Sequence, residues 1–590
     1  MADWLDERTG YRKLAHELLD EPVTGGARWA YVWGSALTLS FLVQAITGFL
    51  LMTVYQPSAT SAWSSVWFVQ HRVSWGWVVR GLHHFGAQAM VVLLVAHLGQ
   101  TALFGAYKKP REMNWLLGLV LMALTLGFAL TGYLLPWDQK GYWATRVATN
   151  IAGSIPLVGH ALQRLLVGGD DYGHLTLTRF YGLHVALLPA LTALVLAAHV
   201  ALFRRHGVTP PEGADPKKVE PFYPRQVGMD LAFGLVVLAV LIGLTLREHG
   251  APLDAPADPS SDYPARPEWY FLALFELLKY VPGNIEWVAA LGLPLVLGGY
   301  LVALPFIDRG SSRALATRGK VLAPLGLALL GAVALTNRSL SNDSADPAFQ
   351  ASRKKAEERA QHASKLAAKG IPPAGPLAML AADPATRAPQ LFEKHCASCH
   401  RLGDVGPEPA KATAPDLSGW GSRAWLAALL DDPDAPHLFG SGPLKGLMPS
   451  FKRPPPDEAE ASSWKPLPEA DERALLDFFE AQARGDEAKA SAGEKQVKQR
   501  CTTCHRLDGE DPLDAESLAP ELRGWASLAW TKAQIANPGG GKTYPAGVMA
   551  EKLPGHMPAF ERELEPKDLD LLAGWLVATA PKLAVARSTR

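Results

Sequence analysis

The stretch GLHHFGAQAMVVLLVAHLGQ, residues 81–100, is apolar enough to lie in a lipid bilayer, yet it carries three histidines. Ionisable side chains are costly inside a membrane and face the interior of a helix bundle where they occur. At about 1.5 Å rise and about 100° per residue, the 14-residue step from His83 to His97 advances roughly 21 Å and keeps both rings on one face. The stretch therefore predicts a spanning helix with two inward-facing ligands at different depths.

A second apolar segment, FYGLHVALLPALTALVLAAHVALF at 180–203, repeats the arrangement with His184 and His199. This 15-residue step advances about 22 Å and still allows both rings to face one neighbouring helix. Iron held between two neutral imidazoles satisfies groups that lipid cannot satisfy. The four histidines therefore predict two bis-histidine haem b sites stacked across the bilayer. His84, about 100° around the helix from His83, is predicted to be a polar neighbour rather than a ligand.

Glycines repeat the spacing of the first histidine pair on two other apolar segments. Small residues often serve only to pack membrane helices together. The shared 14-residue interval favours a different role, because glycine has no Cβ atom to collide with a porphyrin edge. The predicted clearance positions are Gly34, Gly48, Gly118 and Gly132.

Long apolar runs fill the chain as far as residue 336. The segments that reach the length of a spanning helix are about 30–52, 85–104, 115–136, 180–203, 229–247, 286–306 and 319–336. Lys and Arg cluster in the short loops after the second, fourth and sixth spans, which places those loops and the N-terminus in the cytoplasm. Seven crossings then deliver the rest of the chain to the outer side. Because 57 basic residues balance 57 acidic ones, and no basic cluster is flanked by stacking aromatics, a nucleic-acid partner is excluded.

The four cysteines fall in two C-x-x-C-H motifs, which are typical of covalent haem attachment. The motifs are CASCH with Cys396, Cys399 and His400, and CTTCH with Cys501, Cys504 and His505. The spacing allows two thioethers to one haem and makes the histidine an axial ligand. The alternative is a redox dithiol or half of a zinc site. Haem c attachment takes place outside the cytoplasm in bacteria, which agrees with the side that the spans predict.

A methionine in a Met-Pro-x-Phe context follows each motif and is a candidate second axial ligand. Met448 lies 48 residues beyond His400, and Met557 lies 52 residues beyond His505. A methionine can also be core filler, and Met549 is the nearest competitor. Because APDLSGW near the first motif corresponds to LAPELRGW near the second, the sequence predicts two homologous helical modules in tandem, each similar to a small cytochrome c domain.

Further motifs make residues 20–336 resemble cytochrome b of the cytochrome bc complexes, the quinol:cytochrome c oxidoreductases. These motifs are R-x-x-H-H-x-G-A at 80–87, GYLLPWDQKGYW at 132–143, LTRFYGLH at 177–184 and PEWYF at 267–271. The seven spans and the 15-residue histidine spacing are similar to the plastoquinol-oxidising and Gram-positive branch. In that branch a cysteine on the first span can bind a third membrane haem, but Val32 stands here, so we expect no such haem.

The resemblance implies a role for each matched position. His83 and His184 would hold the lower-potential haem near the outer face, and His97 and His199 the higher-potential haem near the inner face. Arg80 would neutralise a haem propionate. The outer quinol-oxidation pocket would be lined by Pro267, Glu268, Trp269 and Tyr270, with the glutamate accepting a quinol proton. An inner quinone site would involve Arg204, His206 and Asp230, although surface charge near a membrane end is an equally good explanation for these three.

The sequence therefore predicts an all-α chain with a polytopic membrane bundle and a cytochrome c tail. Its expected parts are a cytoplasmic segment (1–29), a four-span di-haem core (30–205), a three-span part (206–337), an exposed linker (338–385) and two cytochrome c domains (386–482 and 483–590). The expected function is quinol oxidation in a bacterial inner membrane, with one electron passing to a [2Fe-2S] Rieske partner and the c haems, and the other through the b haems to a quinone.

A soluble cytochrome c or another acceptor would take the electrons from the tail, and the resemblance implies a homodimer. Two other functions stay open. The chain could be a membrane anchor that passes electrons from a dehydrogenase to quinone, or a conduit or redox sensor that binds no quinone. The PEWY motif after the fifth span favours quinol oxidation over both.

Overall fold

The computed structural model describes residues 2–215, 217–261, 263–408, 411–440, 444–486, 493–514, 516–545 and 557–585. These residues are mainly helical, as the sequence predicts. The chain forms two compact units, Met1–Met379 and Leu380–Arg590.

The predicted membrane spans are confirmed within the described residues. Seven helices are long and apolar enough to cross a bilayer, namely Trp29–Met52, Gly76–Phe104, Glu112–Leu134, His174–His206, Arg225–Arg247, Val288–Ile307 and Leu315–Ala345. Large apolar side chains on their outer faces, such as Leu42, Phe49 and Leu330, are half or more exposed, which suits helices that lipid surrounds. The seventh helix begins earlier and ends later than the predicted span of 319–336.

The first unit has the following α-helices. They are α1 Ala2–Thr9, α2 Tyr11–Leu19, α3 Val32–Met52, α4 Ala62–His71, α5 Gly76–Phe104, α6 Glu112–Leu134, α7 Gln139–Gly153, α8 Gly159–Val167, α9 His174–Gly182, α10 Leu188–His206, α11 Arg225–Arg247, α12 Leu272–Leu278, α13 Leu293–Ile307, α14 Leu315–Ala345 and α15 Pro347–Lys369, with α16 Pro376–Ala382 at the unit boundary. A short antiparallel pair, β1 Pro22–Thr24 and β2 Val219–Pro221, joins the segment before α3 to the segment before α11.

The helices that carry histidines pack against the helices that carry the predicted glycines. α5, with His83 and His97, lies along α3, and α10 lies along α6. A π-helical turn, Leu183–Leu187, connects α9 to α10 and contains His184. Such turns are rare and often mark functional sites, because they redirect side chains within a helix.

A buried ion cluster holds the four-span part against the three-span part. Asp308, which follows α13, accepts hydrogen bonds from Lys108 Nζ at 2.7 Å and from Arg318 Nε at 2.8 Å. Tyr107 donates to the same carboxylate at 2.6 Å. The Asp308 carboxylate forms ion pairs with both cations, so the cluster fixes the loop after α5 against the start of α14.

The region predicted as an exposed linker, 338–385, is a structured part of the first unit as far as Met379. α14 continues to Ala345, and α15 packs against α4. Trp67 Nε1 donates to Ser364 Oγ at 3.0 Å, and Ala363 is fully buried. α15 therefore docks on α4 through a face that includes Ala363 and Ala367, while most of its other residues are exposed. The bounds of the linker stay a prediction.

The second unit contains both C-x-x-C-H motifs. Its helices are α17 Pro384–His395, α18 Arg423–Asp431, α19 Glu458–Ser463, α20 Glu469–Arg484, α21 Glu494–Arg500, α22 Leu528–Ala536 and α23 Pro566–Thr579. α17 packs against α23, and α20 packs against both α18 and α21. Helices of the two sequence repeats therefore pack against one another within one compact unit. The predicted bounds of the two cytochrome c domains, 386–482 and 483–590, stay a prediction. The helices of the two repeats present equivalent apolar faces, so the hydrophobic pattern alone does not decide which of them meet.

Candidate haem and quinol sites

Each of the four membrane histidines lies against one of the four predicted glycines. The distances from a Cβ atom built on the glycine to the nearest imidazole atom, Cε1 in every case, are 2.6 Å for Gly132–His184, 3.1 Å for Gly48–His83, 3.3 Å for Gly118–His199 and 3.4 Å for Gly34–His97. The sequence attributes the clearance to a porphyrin edge. In the structure the glycines make room for the imidazole rings, so that each ring lies flush against the neighbouring helix.

Hydrogen bonds fix the tautomer of three of these imidazoles. Thr47 Oγ1 donates its proton to the Val43 carbonyl at 2.6 Å, so it accepts from His83 Nδ1 at 3.0 Å. Thr131 has the same arrangement, with Nδ1 of His184 3.0 Å from its hydroxyl. The lone pair of each ring then lies on Nε2, the atom left for iron.

The third imidazole is fixed by a backbone carbonyl. His199 Nδ1 lies 3.0 Å from the Asn114 carbonyl oxygen and donates to it. Nδ1 of His97 is buried without a hydrogen-bond partner among the described residues. A carbonyl acceptor has the same effect as a threonine hydroxyl, because it leaves Nε2 unprotonated.

The two histidines of the first couple stand at the separation that a shared iron requires. The ring centroids of His83 and His184 are 6.3 Å apart, with the ring planes at 72°. Two metal–nitrogen bonds of about 2 Å each, together with the distance from each Nε2 to its ring centre, span roughly 6 Å. His97 and His199 form the second couple, near enough to interact electrostatically. The geometry of the first couple therefore fits a haem held between two imidazoles.

Sequence reasoning missed the two threonines. Each directly precedes a clearance glycine, in the dipeptides Thr47–Gly48 and Thr131–Gly132. The repeated Thr-Gly pair at the same spacing was the available signal. Its meaning depends on the helix packing that places the hydroxyl beside the ring.

Arg80 is buried and engaged by the backbone. Its Nη2 donates to the Pro252 carbonyl at 2.6 Å, and its Nη1 donates to the Ala251 carbonyl and to Gln70 Oε1. Its expected role with a haem propionate stays a prediction. His84 stacks edge-on against Phe85, with ring centroids 5.0 Å apart, and interacts electrostatically with Glu268.

Glu268 is the centre of a polar cluster at the end of α5 that carries His83. Its Oε1 accepts from Lys140 Nζ at 2.8 Å, and its Oε2 accepts from Gln88 Nε2 at 3.3 Å. Gln88 Oε1 in turn accepts from Trp269 Nε1 at 2.6 Å. Lys140 belongs to the predicted GYLLPWDQKGYW motif, and Gln88 lies on α5. The structure thus joins the PEWY segment to two other motif regions.

The side chain of Glu268 is only 11% exposed, whereas that of Lys140 is 40% exposed. Burial alone would raise the pKa of Glu268, but the nearby Lys140 ammonium and the hydrogen bond from Lys140 outweigh it, and the pKa is lowered. The carboxylate is therefore ionised, mostly removed from water and held in a fixed orientation. It is arranged to accept a proton from a hydroxyl that approaches it.

The contacts of the three predicted inner quinone residues tie each of them to a different neighbour. Arg204 Nη2 forms an ion pair with Glu21 at 2.8 Å. Asp230 Oδ1 accepts from Gln226 at 2.9 Å, and the His206 carbonyl accepts from Arg111 at 2.6 Å. Their role in a quinone site stays a prediction.

Both C-x-x-C-H motifs form the same helical turn at the end of a helix. The amide of His400 donates to the Cys396 carbonyl at 2.9 Å, which gathers Cys396, Cys399 and His400 in one turn after α17. His400 Nδ1 donates to the Pro415 carbonyl at 2.8 Å, and burial lowers the pKa of His400. The neutral ring keeps Nε2 for iron.

The second motif repeats this geometry after α21. His505 Nδ1 donates to the Pro520 carbonyl at 3.0 Å, and burial lowers the pKa of His505. Pro415 and Pro520 belong to the repeated APDLSGW and APELRGW segments, so the repeat carried a signal for a histidine-orienting carbonyl. Met448 and Met557 each pack against a buried apolar cluster, whereas Met549 lies outside the described residues.

These features define a class of protein, namely a multi-pass membrane protein with paired histidines for haem b and a C-terminal region for haem c. Family models match four stretches of the chain between residues 88 and 576. "Cytochrome b(N-terminal)/b6/petB" matches residues 88–256, and "Cytochrome b(C-terminal)/b6/petD" matches residues 256–350. "Cytochrome c" matches 385–479, and "Cytochrome C oxidase, cbb3-type, subunit III" matches 488–576.

Comparisons with known proteins lead to the same family. Cytochrome b6 of Cyanidium caldarium is 40% identical over 209 residues, which is 35% of this chain and 97% of the relative. The cytochrome bc complex cytochrome b subunit of Chlorobaculum thiosulfatiphilum is 38% identical over 290 residues, 48% of this chain and 67% of the relative. A solved "Hyperthermophilic respiratory Complex III" has a TM-score of 0.52 at 26% identity, covering 60% of this chain and 93% of that one. The chain belongs to the cytochrome b family of cytochrome bc complexes, with cytochrome c domains at its C-terminus.

Proposed function

We propose that the chain is the cytochrome b and c subunit of a quinol:cytochrome c oxidoreductase that couples quinol oxidation to proton translocation. A cytochrome b of a bc-type complex is a redox subunit of a larger assembly. The finer function rests on the Glu268 cluster, on the two histidine couples and on the two C-x-x-C-H turns. We infer two haem b and two haem c per chain.

The residues around Glu268 are suited to removing a proton from quinol. A quinol hydroxyl that approaches Glu268 would lose its proton to the carboxylate, because Lys140 keeps this group ionised. Gln88 and Trp269 would hold the carboxylate in place, while Pro267 and Tyr270 would shape the pocket wall. The proton would leave towards the outer aqueous phase when the protonated side chain turns away from Lys140.

When bound, the haems would supply single-electron transfer across the bilayer and along the tail. His83 and His184 would hold the haem nearer the outer side, and His97 and His199 the haem nearer the inner side. One electron from quinol would pass to a Rieske [2Fe-2S] protein and then to the tail. The other electron would reach a quinone at an inner site that involves Arg204, His206 and Asp230. The reduced quinone would take up protons from the cytoplasm.

The proposed setting is a bacterial inner membrane, with the N-terminus in the cytoplasm and the cytochrome c domains outside. A Rieske protein and a soluble cytochrome c or similar acceptor would be partners, and the complex would be a homodimer. The position of Glu268 carries the proposal most directly. Its ionised, mostly buried carboxylate accepts a hydrogen bond from Gln88, five residues from His83 on the same helix. This contact would bring the proposed proton acceptor close to the proposed haem.

The test is the Glu268→Gln variant in the purified complex. We expect quinol oxidation to slow strongly while both haem b and haem c spectra stay unchanged, because glutamine keeps the hydrogen bond to Gln88 but cannot take a proton. Glu248→Gln, at a solvent-facing glutamate after α11, is the matched control and should leave turnover unchanged. Normal turnover in Glu268→Gln would remove this carboxylate from the mechanism, and haem reduction without inhibitor-sensitive turnover would favour a conduit.

A further inference from the structure

The order of the sequence pairs each C-x-x-C-H motif with the methionine that follows it, but the helices of the second unit do not pack in that order. The first helix of repeat one, α17, lies against α23, the last helix of repeat two. The first helix of repeat two, α21, lies against α20, the last helix of repeat one. Each C-x-x-C-H turn directly follows one of these first helices, so each turn lies beside the last helix of the other repeat.

An Arg–Asp contact links the two helices of each pair. Arg387 of α17 donates to Asp568 of α23, with Nη2 and Oδ2 2.8 Å apart, and Asp568 is largely buried. The reciprocal pair joins Arg500, at the end of α21, to Asp471 of α20 at 2.9 Å. An Arg–Asp contact therefore joins the two repeats in both directions.

The buried clusters divide in the same exchanged way. One cluster combines Leu391, Phe392, Cys396 and Leu402 of repeat one with Ile535, Phe560 and Leu572 of repeat two, and Met557 packs against it. The other combines Leu430, Leu475 and Phe478 of repeat one with Val497, Leu507 and Leu522 of repeat two. Both Met448 and Cys501 pack against this second cluster. Each methionine therefore shares a core with the cysteine motif of the other repeat.

The repeats cross where the two Gly-Trp segments meet. Gly419 N donates to the Ala580 carbonyl at 2.8 Å, and Gly524 N donates to Gln482 Oε1 at 2.7 Å. A Cβ atom on Gly421 would lie 3.4 Å from the Cβ atom of Ala526, its counterpart in the other repeat. Both residues have positive φ, 80° and 59°, so the same left-handed turn occurs on each side of the crossing.

The tryptophans at the crossing also pair reciprocally. The rings of Trp420 and Trp530 are 6.3 Å apart, and those of Trp525 and Trp425 are 5.8 Å apart. Each Gly-Trp segment thus contacts the helix that follows the other Gly-Trp segment. The crossing is a packed core and not a loose contact between two finished domains.

We propose that the two c-type haems exchange their methionine ligands between the sequence repeats. Met557 completes the iron of the haem attached at Cys396 and Cys399, and Met448 completes the iron of the haem attached at Cys501 and Cys504. The inference rests on the proposed function in so far as both motifs carry haem. Its consequence is that the two haems form one inseparable body, because each haem site takes its two axial ligands from different repeats.

The test makes the two c haems distinguishable in the full chain. Cys396→Ala leaves a single thioether on the first haem, so one vinyl group stays conjugated with the porphyrin and the reduced α band moves to longer wavelength. Met557→Ala or Met448→Ala is then added. Carbon monoxide binding to the reduced protein and the midpoint potential of each α band show which haem has lost its sulfur ligand.

Exchanged pairing predicts that Met557→Ala makes the shifted band reactive towards carbon monoxide and lowers its potential, while Met448→Ala does the same to the unshifted band. The opposite assignment would overturn the proposal. The mass of the chain counts the covalent haems separately. Fewer than two haems in the unaltered protein would refute the proposed function, whereas two haems with the opposite assignment would refute only the exchange.

A second measurement avoids the haem ligands in case the tagged variants do not mature. Arg387→Asp should lower the temperature at which the sulfur-to-iron absorption band of the full-length protein disappears. Adding Asp568→Arg should restore most of that loss, since the reversed pair can form again across the exchanged helices. The pair Arg500→Asp and Asp471→Arg provides the matched case. Purely additive losses in both pairs would show that the helices pair within each repeat.

Discussion

Alanine at the four clearance glycines should remove haem b in a graded order that the structure sets. Ordinary contact for a Cβ atom begins near 3.4 Å, so the 2.6 Å approach at Gly132 leaves an overlap of about 0.8 Å, and the 3.1 Å approach at Gly48 leaves about 0.3 Å. Gly118 and Gly34 have almost none. Overpacking typically costs about 1–3 kcal/mol, which corresponds to roughly a 5- to 150-fold loss of haem affinity. We expect the upper end of this loss of haem affinity for Gly132→Ala and little loss for Gly34→Ala.

The overlap falls on an imidazole that a hydrogen bond holds in place, which explains why relaxation is limited. His184 is fixed by Thr131 on the same helix as Gly132, so a methyl group that pushes the ring also strains its hydrogen bond. Gly48 and Gly132 both face the first histidine couple. The site of His83 and His184 should therefore be the more sensitive of the two.

The assay is the ratio of haem b to haem c in each purified variant, because the covalent haems of the same chain serve as an internal standard. Redox titration then identifies which b haem is lost. Gly127→Ala on α6 is the control, since its Cβ atom would meet Leu188 at an ordinary 3.7 Å. Equal loss from Gly34→Ala and Gly132→Ala, or a full b-to-c ratio in Gly132→Ala, would refute the reasoning.

Three further changes test the neighbouring groups. Lys140→Met removes the ammonium that lowers the pKa of Glu268, so that pKa should rise and the acid-side fall in quinol oxidation should move to higher pH in a rate profile. Thr131→Val removes the acceptor of His184 Nδ1, and redox titration should show a changed potential and a 10- to 100-fold weaker affinity for one b haem only. Asp308→Asn leaves two buried cations without their carboxylate and should cost about 3–5 kcal/mol in thermal or denaturant unfolding.

Matched variants separate these effects from general damage. Thr125→Val removes a hydroxyl that bonds only within α6 and should leave both b haems unchanged. Asp346→Asn alters an exposed helix cap and should have a much smaller effect on unfolding than Asp308→Asn. An unmoved acid limb in Lys140→Met would show that Lys140 does not control Glu268.

Features that depend on spacing within one helix or one turn could be predicted from the sequence. The His83 and His97 pair follows from helical periodicity, the spans follow from apolar length, and the C-x-x-C-H turns follow from local geometry. The four glycines were also found by spacing, and each lies against one of the paired imidazoles, while their predicted role in clearing a porphyrin edge stays a prediction. Local patterns carry this information because the backbone geometry of a helix is nearly constant.

Contacts between distant segments could not be predicted in the same way. Lys140 and Glu268 are 128 residues apart, and nothing in either motif requires that their side chains meet. The docking of α15 on α4 likewise depends on where the seventh span ends. In both cases the sequence supplies a charge or an apolar face, and only the packing of the bundle selects the partner.

The helix contacts of the second unit are harder still to predict from sequence. Two similar repeats allow each first helix to pack against the last helix of its own repeat or of the other repeat. Side-chain patterns do not separate these two pairings, but chain connectivity does. The connection from α20 to α21 spans about 10 residues, whereas pairing within each repeat would close two loops of about 70 residues. With loop-closure entropy growing as (3/2)RT ln n, one very short and one long loop together cost about 1 kcal/mol less than two intermediate loops. Between otherwise equal packings, that difference favours the exchanged form about fivefold, so the length of the connection, and not the helix faces, selects the helix against which each first helix packs.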